Sequence, residues 1–405
     1  MTIPETGPPL EGEPAADRLT LDRRLLHIIR SVAPSGGGTT EGIRRLGEVC
    51  AGSGMEVLCL DDPAEPYLRG FSPPVHALGP VRGSYGYTPR LKAWLGEHAK
   101  RFDGAVIHGL WQYHSYGAYA ALRHRLPYAI FPHGMLDPYF RRAFPLKHIK
   151  KQAYWLVREH RVLRDARGVC FTTSAERDSA MATMWPHRWR PVVVSFGAAA
   201  PPEEPAAQRA LFLHLFPRLA GRRFFLFLSR IHVKKGCDLA VEAWSRIAAA
   251  EPDLDLVIAG PDEGGLRPGL EKRAQALGLN HRLHWTGMIE GEVKWGAFRA
   301  AEAFVLPSHQ ENFGVAVVEA LACRLPVLIS EKINIAPDIL QDRAGLVDED
   351  TAEGTYRSML RWLGMGQEER RRMAENGARA FVNRYGMGRT AQALNDLFRS
   401  VNADE

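Results

Sequence analysis

No apolar run in the 405-residue sequence approaches the roughly 18 residues that a membrane-spanning helix requires. Cysteine is scarce: Cys50, Cys59, Cys170, Cys237 and Cys323 lie scattered with no C-x-x-C pair, and read as reduced thiols in a cytoplasmic protein. The glycine loop in the first half of the chain lacks G-x-G-x-x-G spacing and has no acidic residue clearly placed for a ribose, which argues against an NAD-linked oxidoreductase built on that half. A formal net charge of +6 invites a nucleic-acid reading, but no nucleic-acid motif accompanies it and no partner of that class is expected. Residues Met1 to Thr20 are proline-rich and acidic, without the basic start and apolar core of a secretory signal, and are expected to form a disordered tail. No internal repeat is visible.

What is present is an ordinary globular composition, 45% hydrophobic and 24% charged, in a chain long enough for two domains of about 150–200 residues. Strand-like runs alternate with helix-like ones: Leu25–Arg30, Met55–Leu60, Gly104–His108, Tyr128–Phe131 and Val169–Thr172 form a first series. Phe224–Leu228, Asp255–Ala259, His281–Trp285, Ala303–Pro307 and Leu325–Ile329 form a second. Ala198 to Pro205, rich in small residues and proline, marks the edge of an interdomain linker. The predicted fold class is α/β, with two doubly wound domains facing across a cleft. The first is expected at 21–197, a linker at 198–222 and the second domain at 223–387.

Glu319 is the only charge between Gly314 and Cys323, and lies on a predicted crossover helix with Glu311 in its entry loop. An unpaired carboxylate in so apolar a segment costs several kcal/mol or shifts its pKa, so a partner is needed, and a ligand is the first candidate. Val315, Glu319 and Ala322 share one helical face. The amides of Phe313, Gly314 and Val315 fall at the helix N-terminus, where a phosphate is favoured and Gly314 has no side chain to obstruct it. The alternative is a solvent-facing glutamate on an ordinary amphipathic helix.

Three more clusters sit at strand ends. Arg230 and Lys235, in Ser229–Gly236, could neutralise a departing diphosphate, or be plain exposed cations. Gly36-Gly37-Gly38 allows close approach of backbone to a phosphate, though such a loop could equally be a flexible turn. His133, in Phe131–Pro138, is either a satisfied structural histidine or a substrate contact at the cleft rim. Separately, Tyr139 to Cys170 holds nine Lys/Arg against Glu159 and Asp165. Lys147, Lys151, Arg158 and Arg161 are predicted on one helical stripe, with Lys150 beside it, suiting an anionic membrane surface or a phosphorylated acceptor, or simply solvent.

Together these segments resemble the family 4 retaining glycosyltransferases of the GT-B fold, glycosyl transferases group 1, from Leu25 to about Val401. The resemblance is most specific in the E-x7-E pair Glu311 and Glu319, the Ser-Arg-x4-Lys-Gly element at Ser229–Gly236, the Ile258-Ala259-Gly260 strand end and Thr286-Gly287. It implies a nucleotide-diphosphate sugar as donor substrate, UDP- or GDP-linked, with no further cofactor and no metal. Glu311 would contact the donor sugar with Asn312 beside it, Glu319 the ribose, and Arg230 and Lys235 the diphosphate. Phe313, Gly314, Val315, Gly37 and Gly38 would face the phosphates, Met288 and Ile289 the base, and His133 the sugar. The last helix, placed in 388–405, would cross back to the first domain.

The sequence departs from the family where Ser195-Phe196-Gly197 replaces a usual Asn-Gly, and where Asn312 replaces a usual glycine. The reaction the resemblance implies is hexosyl transfer with retention to a saccharide acceptor, in assembly of a bacterial cell-surface polysaccharide such as exopolysaccharide or lipopolysaccharide. The basic helix adds the expectation that the acceptor is lipid-linked, at the inner membrane face, with the enzyme cytoplasmic and peripheral there. A non-catalytic nucleotide-sugar or membrane-binding scaffold stays open as an alternative. Asp253-Leu254-Asp255 matches a metal-binding DxD literally, but Asp255 is expected to open a strand, away from the cleft.

Overall fold

The apolar runs become strands buried along most of their length, as parallel strands covered by helices on both faces must be. The computed structural model describes residues 21–34, 37–138 and 145–399. The expected tail, Gly36, and the basic residues Arg141 and Arg142 lie outside them.

The first sheet comprises β1 (Leu25–Ile28), β2 (Glu56–Cys59), β3 (Val75–Ala77), β4 (Gly104–His108), β5 (Tyr128–Phe131), β6 (Gly168–Phe171) and β7 (Pro191–Val193). All are parallel, in the order β3-β2-β1-β4-β5-β6-β7. The second comprises β8 (Arg223–Leu228), β9 (Leu254–Ala259), β10 (Leu283–Gly287), β11 (Ala303–Leu306), β12 (Val327–Ser330) and β13 (Gly345–Asp348), in the order β10-β9-β8-β11-β12-β13. The second domain is built on one apolar core. The first has a core on each face of its sheet.

The segment expected as a linker is more ordered than its composition suggests. Pro205–Leu215 is a helix led by its proline, and Phe212 is fully buried in the second domain's core. A Cβ on Gly296, in the helix Gly291–Ala300, would lie 2.1 Å from the Gln208 carbonyl, so the two helices meet backbone to backbone.

The chain crosses between domains twice, and the crossings pair. Ala198 and Gly386 form a parallel bridge, with Ala198 N donating to Tyr385 O (2.9 Å) and Met387 N to Ala198 O (3.2 Å). The last helix, Met387–Arg399, then returns to the first domain, where Leu394 and Phe398 join its core. Gly104 leaves the space that Phe398 fills: a Cβ there would be 2.5 Å from the ring.

Candidate functional site

In each sheet the strand order reverses once, between β1 and β4 and between β8 and β11. Loops leaving strands on either side of such a point diverge and open a crevice at the strands' carboxyl ends. The two crevices face each other. A Cβ on Gly38 would lie 3.5 Å from Val315 Cγ2, and one on Gly134 3.4 Å from Asn312 Cγ. Gln310 Nε2 donates to Asp137 Oδ2 (2.8 Å) and Asn312 Nδ2 to Thr172 Oγ1 (3.2 Å), joining the domains across the cleft.

The helix Val315–Ala322 starts at Gly314, whose φ of 76° is the left-handed conformation glycine adopts freely, and no side chain caps it. Val317, Val318, Ala320 and Leu321 are buried while Val315, Glu319 and Ala322 look outward, the face expected from spacing. Phe313 is buried against Tyr385. The expectation that Glu319 depends on a ligand for its partner is corrected: Lys294 Nζ, from the helix Gly291–Ala300, lies 2.6 Å away. Burial raises the Glu319 pKa and Lys294 opposes it.

Glu311 is anchored through its backbone, with its N donating to Lys332 O (3.2 Å) and its carbonyl accepting from Asn334 N (3.1 Å). Its carboxylate accepts from Lys235 Nζ. Lys235 ends a short 3-10 turn, Val233–Lys235, followed by Gly236 at φ 66°, where a Cβ would sit 2.2 Å from Pro307 O. Lys235 and Glu311 are thus brought together from β8 and β11. Arg230 is not: its guanidinium pairs with Glu263 at 2.8 Å, and its side chain is 60% exposed. Met288 is exposed and Ile289 half-buried, both just after the edge strand β10. Asn312 accepts from Asn334 Nδ2 (3.2 Å) while donating to Thr172, so the residue replacing the family's glycine bridges the domains.

His133 follows β5 at φ 49° and is half-buried, its Nε2 2.9 Å from His108 Nδ1. The next residue is held by Glu176, which the sequence reading missed: Oε1 accepts from Gly134 N (2.7 Å), and Oε2 from Thr172 N and Oγ1 (both 2.7 Å). Lys294, His108 and His27 were missed as well. Thr173-x-x-Glu176 is a capping-box spacing, the one signal among these that sequence offered.

The basic stripe changes on folding. A π-helical turn, Trp155–Glu159, interrupts the helical path between Pro145–Tyr154 and His160–Arg164, so positions beyond it shift around the axis. Lys151 packs over the Trp111 ring (4.8 Å) and Arg158 over Tyr116 (4.9 Å), whereas Lys147 and Lys150 are exposed. Among the exposed residues here are also Leu146, Ile149, Leu156 and Val157. Of the DxD pair, Asp255 lies near the start of β9, away from the crevice, and is engaged by Arg222, Arg282 and His284.

Two parallel-sheet domains, joined by paired crossings and facing across opposed crevices, define the GT-B class. Two family profiles cover most of the chain, glycosyl transferase 4-like domain over residues 37–197 and glycosyl transferases group 1 over 217–380. The chain belongs to this family 4 group of glycosyltransferases. It is 29% identical to an alpha-D-kanosaminyltransferase of Streptomyces kanamyceticus over 45% of this chain and 47% of that one. It is 27% identical to a D-inositol 3-phosphate glycosyltransferase of Corynebacterium urealyticum over 60% and 59%. The matched region spans about half the length of the first of these relatives. Among solved structures, Anabaena HepE in complex with UDP and glucose superposes with a TM-score of 0.72 at 17% identity, covering 94% of this chain and 100% of that one. Sucrose-phosphate synthase of Thermosynechococcus elongatus gives 0.70 at 20%, covering 93% and 98%.

Proposed function

We propose that the protein is a retaining hexosyltransferase that takes a hexose from a UDP- or GDP-sugar and passes it to a saccharide acceptor without a metal. The observation carrying this reading is the meeting, at one crevice, of the Glu311–Lys235 pair, the uncapped helix N-terminus at Gly314 and the facing Gly38. HepE, of the same fold, holds UDP and glucose, and the inositol-phosphate and kanosaminyl relatives are named as transferases.

In this reading Gly37, Gly38 and the amides at Gly314 and Val315 receive the diphosphate. Lys235 leaves Glu311 for a phosphate oxygen as Glu311 takes the sugar hydroxyls, an exchange that keeps Lys235 ion-paired and leaves the Glu311 carboxylate hydrogen-bonded. Arg230 exchanges Glu263 for the second phosphate in the same way. Glu319, paired with Lys294, accepts from the ribose, and Met288 and Ile289 flank the base. The acceptor oxygen attacks the anomeric carbon from the side the diphosphate leaves. The new C–O bond forms as the sugar–phosphate bond breaks, and the departing phosphate oxygen takes the acceptor's proton. The protein supplies orientation and leaving-group electrostatics.

The exposed apolar residues Leu146, Ile149, Leu156 and Val157, with Lys147 and Lys150 among them, support an acceptor that is lipid-linked and a peripheral position on the inner membrane face, in cell-surface polysaccharide assembly.

Two measurements test the reading. Release of nucleoside diphosphate and transfer of labelled sugar, screened over UDP- and GDP-sugars, should fall at least about a hundredfold in Glu311→Gln with its thermal midpoint kept; undiminished transfer removes Glu311 from the reaction. Sedimentation with phosphatidylglycerol vesicles should weaken when Lys147 and Lys150 become Glu, and unchanged binding overturns the membrane placement.

A further inference from the structure

Three imidazoles run in line from the interior of the first domain to the cleft. His27 in β1 places Nδ1 2.9 Å from Nε2 of His108 in β4, and His108 places Nδ1 2.9 Å from Nε2 of His133. Successive ring planes are within 19° and 15° of each other, an arrangement compatible with in-line N–H···N bonds. His27 and His108 are buried, and burial keeps all three neutral: the pKa falls to about 3 at His27, to about 4 at His133, and well below its ordinary value at His108.

A neutral imidazole has one N–H and one bare nitrogen, so bonded in series the three rings have two arrangements. With all protons directed inward, the last N–H is His27 Nε2, a buried atom with no hydrogen-bond partner. With all protons directed outward, that same atom is a lone pair. An orphaned buried N–H is the rarer and costlier defect, which selects the outward arrangement. The neighbouring His114 follows the same rule: its Nε2 lies 2.7 Å from the His108 carbonyl, which can only accept, so its partnerless buried Nδ1 is the bare nitrogen.

His27 therefore donates to His108, His108 donates to His133, and His133 carries its proton on Nδ1. That atom has no hydrogen-bond partner among the described residues, and it is not among the fully buried unpartnered atoms. We infer that His108, with His27 behind it, is a positioning residue that locks His133 in the Nδ1–H tautomer, so that His133 meets an oxygen of the bound donor as a hydrogen-bond donor. The inference rests on the nucleotide-sugar reading of the cleft and sharpens it. A ring whose lone pair is occupied by His108 has no basic nitrogen to offer the acceptor hydroxyl, which leaves the departing phosphate as the proton's destination.

The test reads the tautomer and the rate separately. Long-range 1H–15N correlation on the ligand-free wild type should show His133 protonated at Nδ1 and bare at Nε2; the opposite assignment overturns the inference whatever the activity. His108→Leu should free the tautomer and lower kcat/KM about tenfold. His108→Gln, whose carbonyl can accept from His27 and whose amide can donate to His133, should restore both. A His108→Leu protein with unchanged His133 tautomer and unchanged kcat/KM overturns the inference, as does a His108→Gln protein no better than His108→Leu. Should His108→Leu not fold, the wild-type spectrum and His108→Gln still decide. If no nucleotide sugar is turned over by wild type, the transferase reading fails, while the nitrogen spectra still decide the tautomer.

Discussion

Glu176 accepts three hydrogen bonds at 2.7 Å and is 5% exposed, and through them it ties the turn after His133 to the end of β6. Replacing it with Ala strands the amides of Gly134 and Thr172 and the Thr172 hydroxyl. Urea unfolding of Glu176→Ala should show a loss of about 2–4 kcal/mol, and donor affinity should fall with it because His133 loses its anchored turn. Capping-box spacing could have pointed to Glu176 as a helix start, but the bond to Gly134 spans 42 residues and has no local signature. Lys294 illustrates the same limit. The sequence established that Glu319 needed a partner, from the apolar stretch around it, and misjudged which, because Lys294 comes from a neighbouring helix whose packing only the fold determines.

At the level of elements, what was readable came from burial. β4 and β5 match their apolar runs residue for residue, since strands buried on both faces tolerate little else. β3 and β7, three residues each and only partly buried, carry no such pattern and escaped notice. The basic helix was legible as charge but not as geometry, because the π turn at Trp155–Glu159 rotates the residues beyond it and aromatic rings claim Lys151 and Arg158. The β8 loop offers a sharper test. Gly236 combines φ 66° with a Cβ position 2.2 Å from the Pro307 carbonyl, so it holds the Lys235 turn against the loop that carries Glu311. Gly236→Ala adds about 1–2 kcal/mol of left-handed strain and a backbone clash. Its thermal midpoint should drop, and KM for the donor should rise more than the stability loss alone explains, because Lys235 and Glu311 no longer share their geometry; an unchanged KM separates that turn from donor binding.

For the whole molecule, the division into two doubly wound halves could be read from strand alternation, whereas the pairing of Ala198 with Gly386 depends on positions 188 residues apart and could not. The same buried interior that hides such contacts sets the molecule's response to acid. His27, His108, His114 and His133 all have pKa values depressed by burial, to about 3 at His27 and about 4 at His114 and His133. Below the unfolded value of about 6.5 the unfolded chain binds protons that the folded chain refuses. Stability from these groups is therefore complete above pH 6.5 and drains away as pH falls toward 4. Glu159, pushed up to about 7 by complete burial, and Glu319, also raised, act oppositely, since in this range the folded state takes their protons. The net is about two to three protons, or roughly 3–4 kcal/mol per pH unit at the steepest point. Urea midpoints should hold near pH 7.5 and fall steeply between pH 6.5 and 5, with a shallower slope in His27→Leu. Midpoints that stay flat across that interval would mean that the folded protein protonates its histidines as readily as the unfolded chain does, and the neutral in-line chain behind His133 would fall with them.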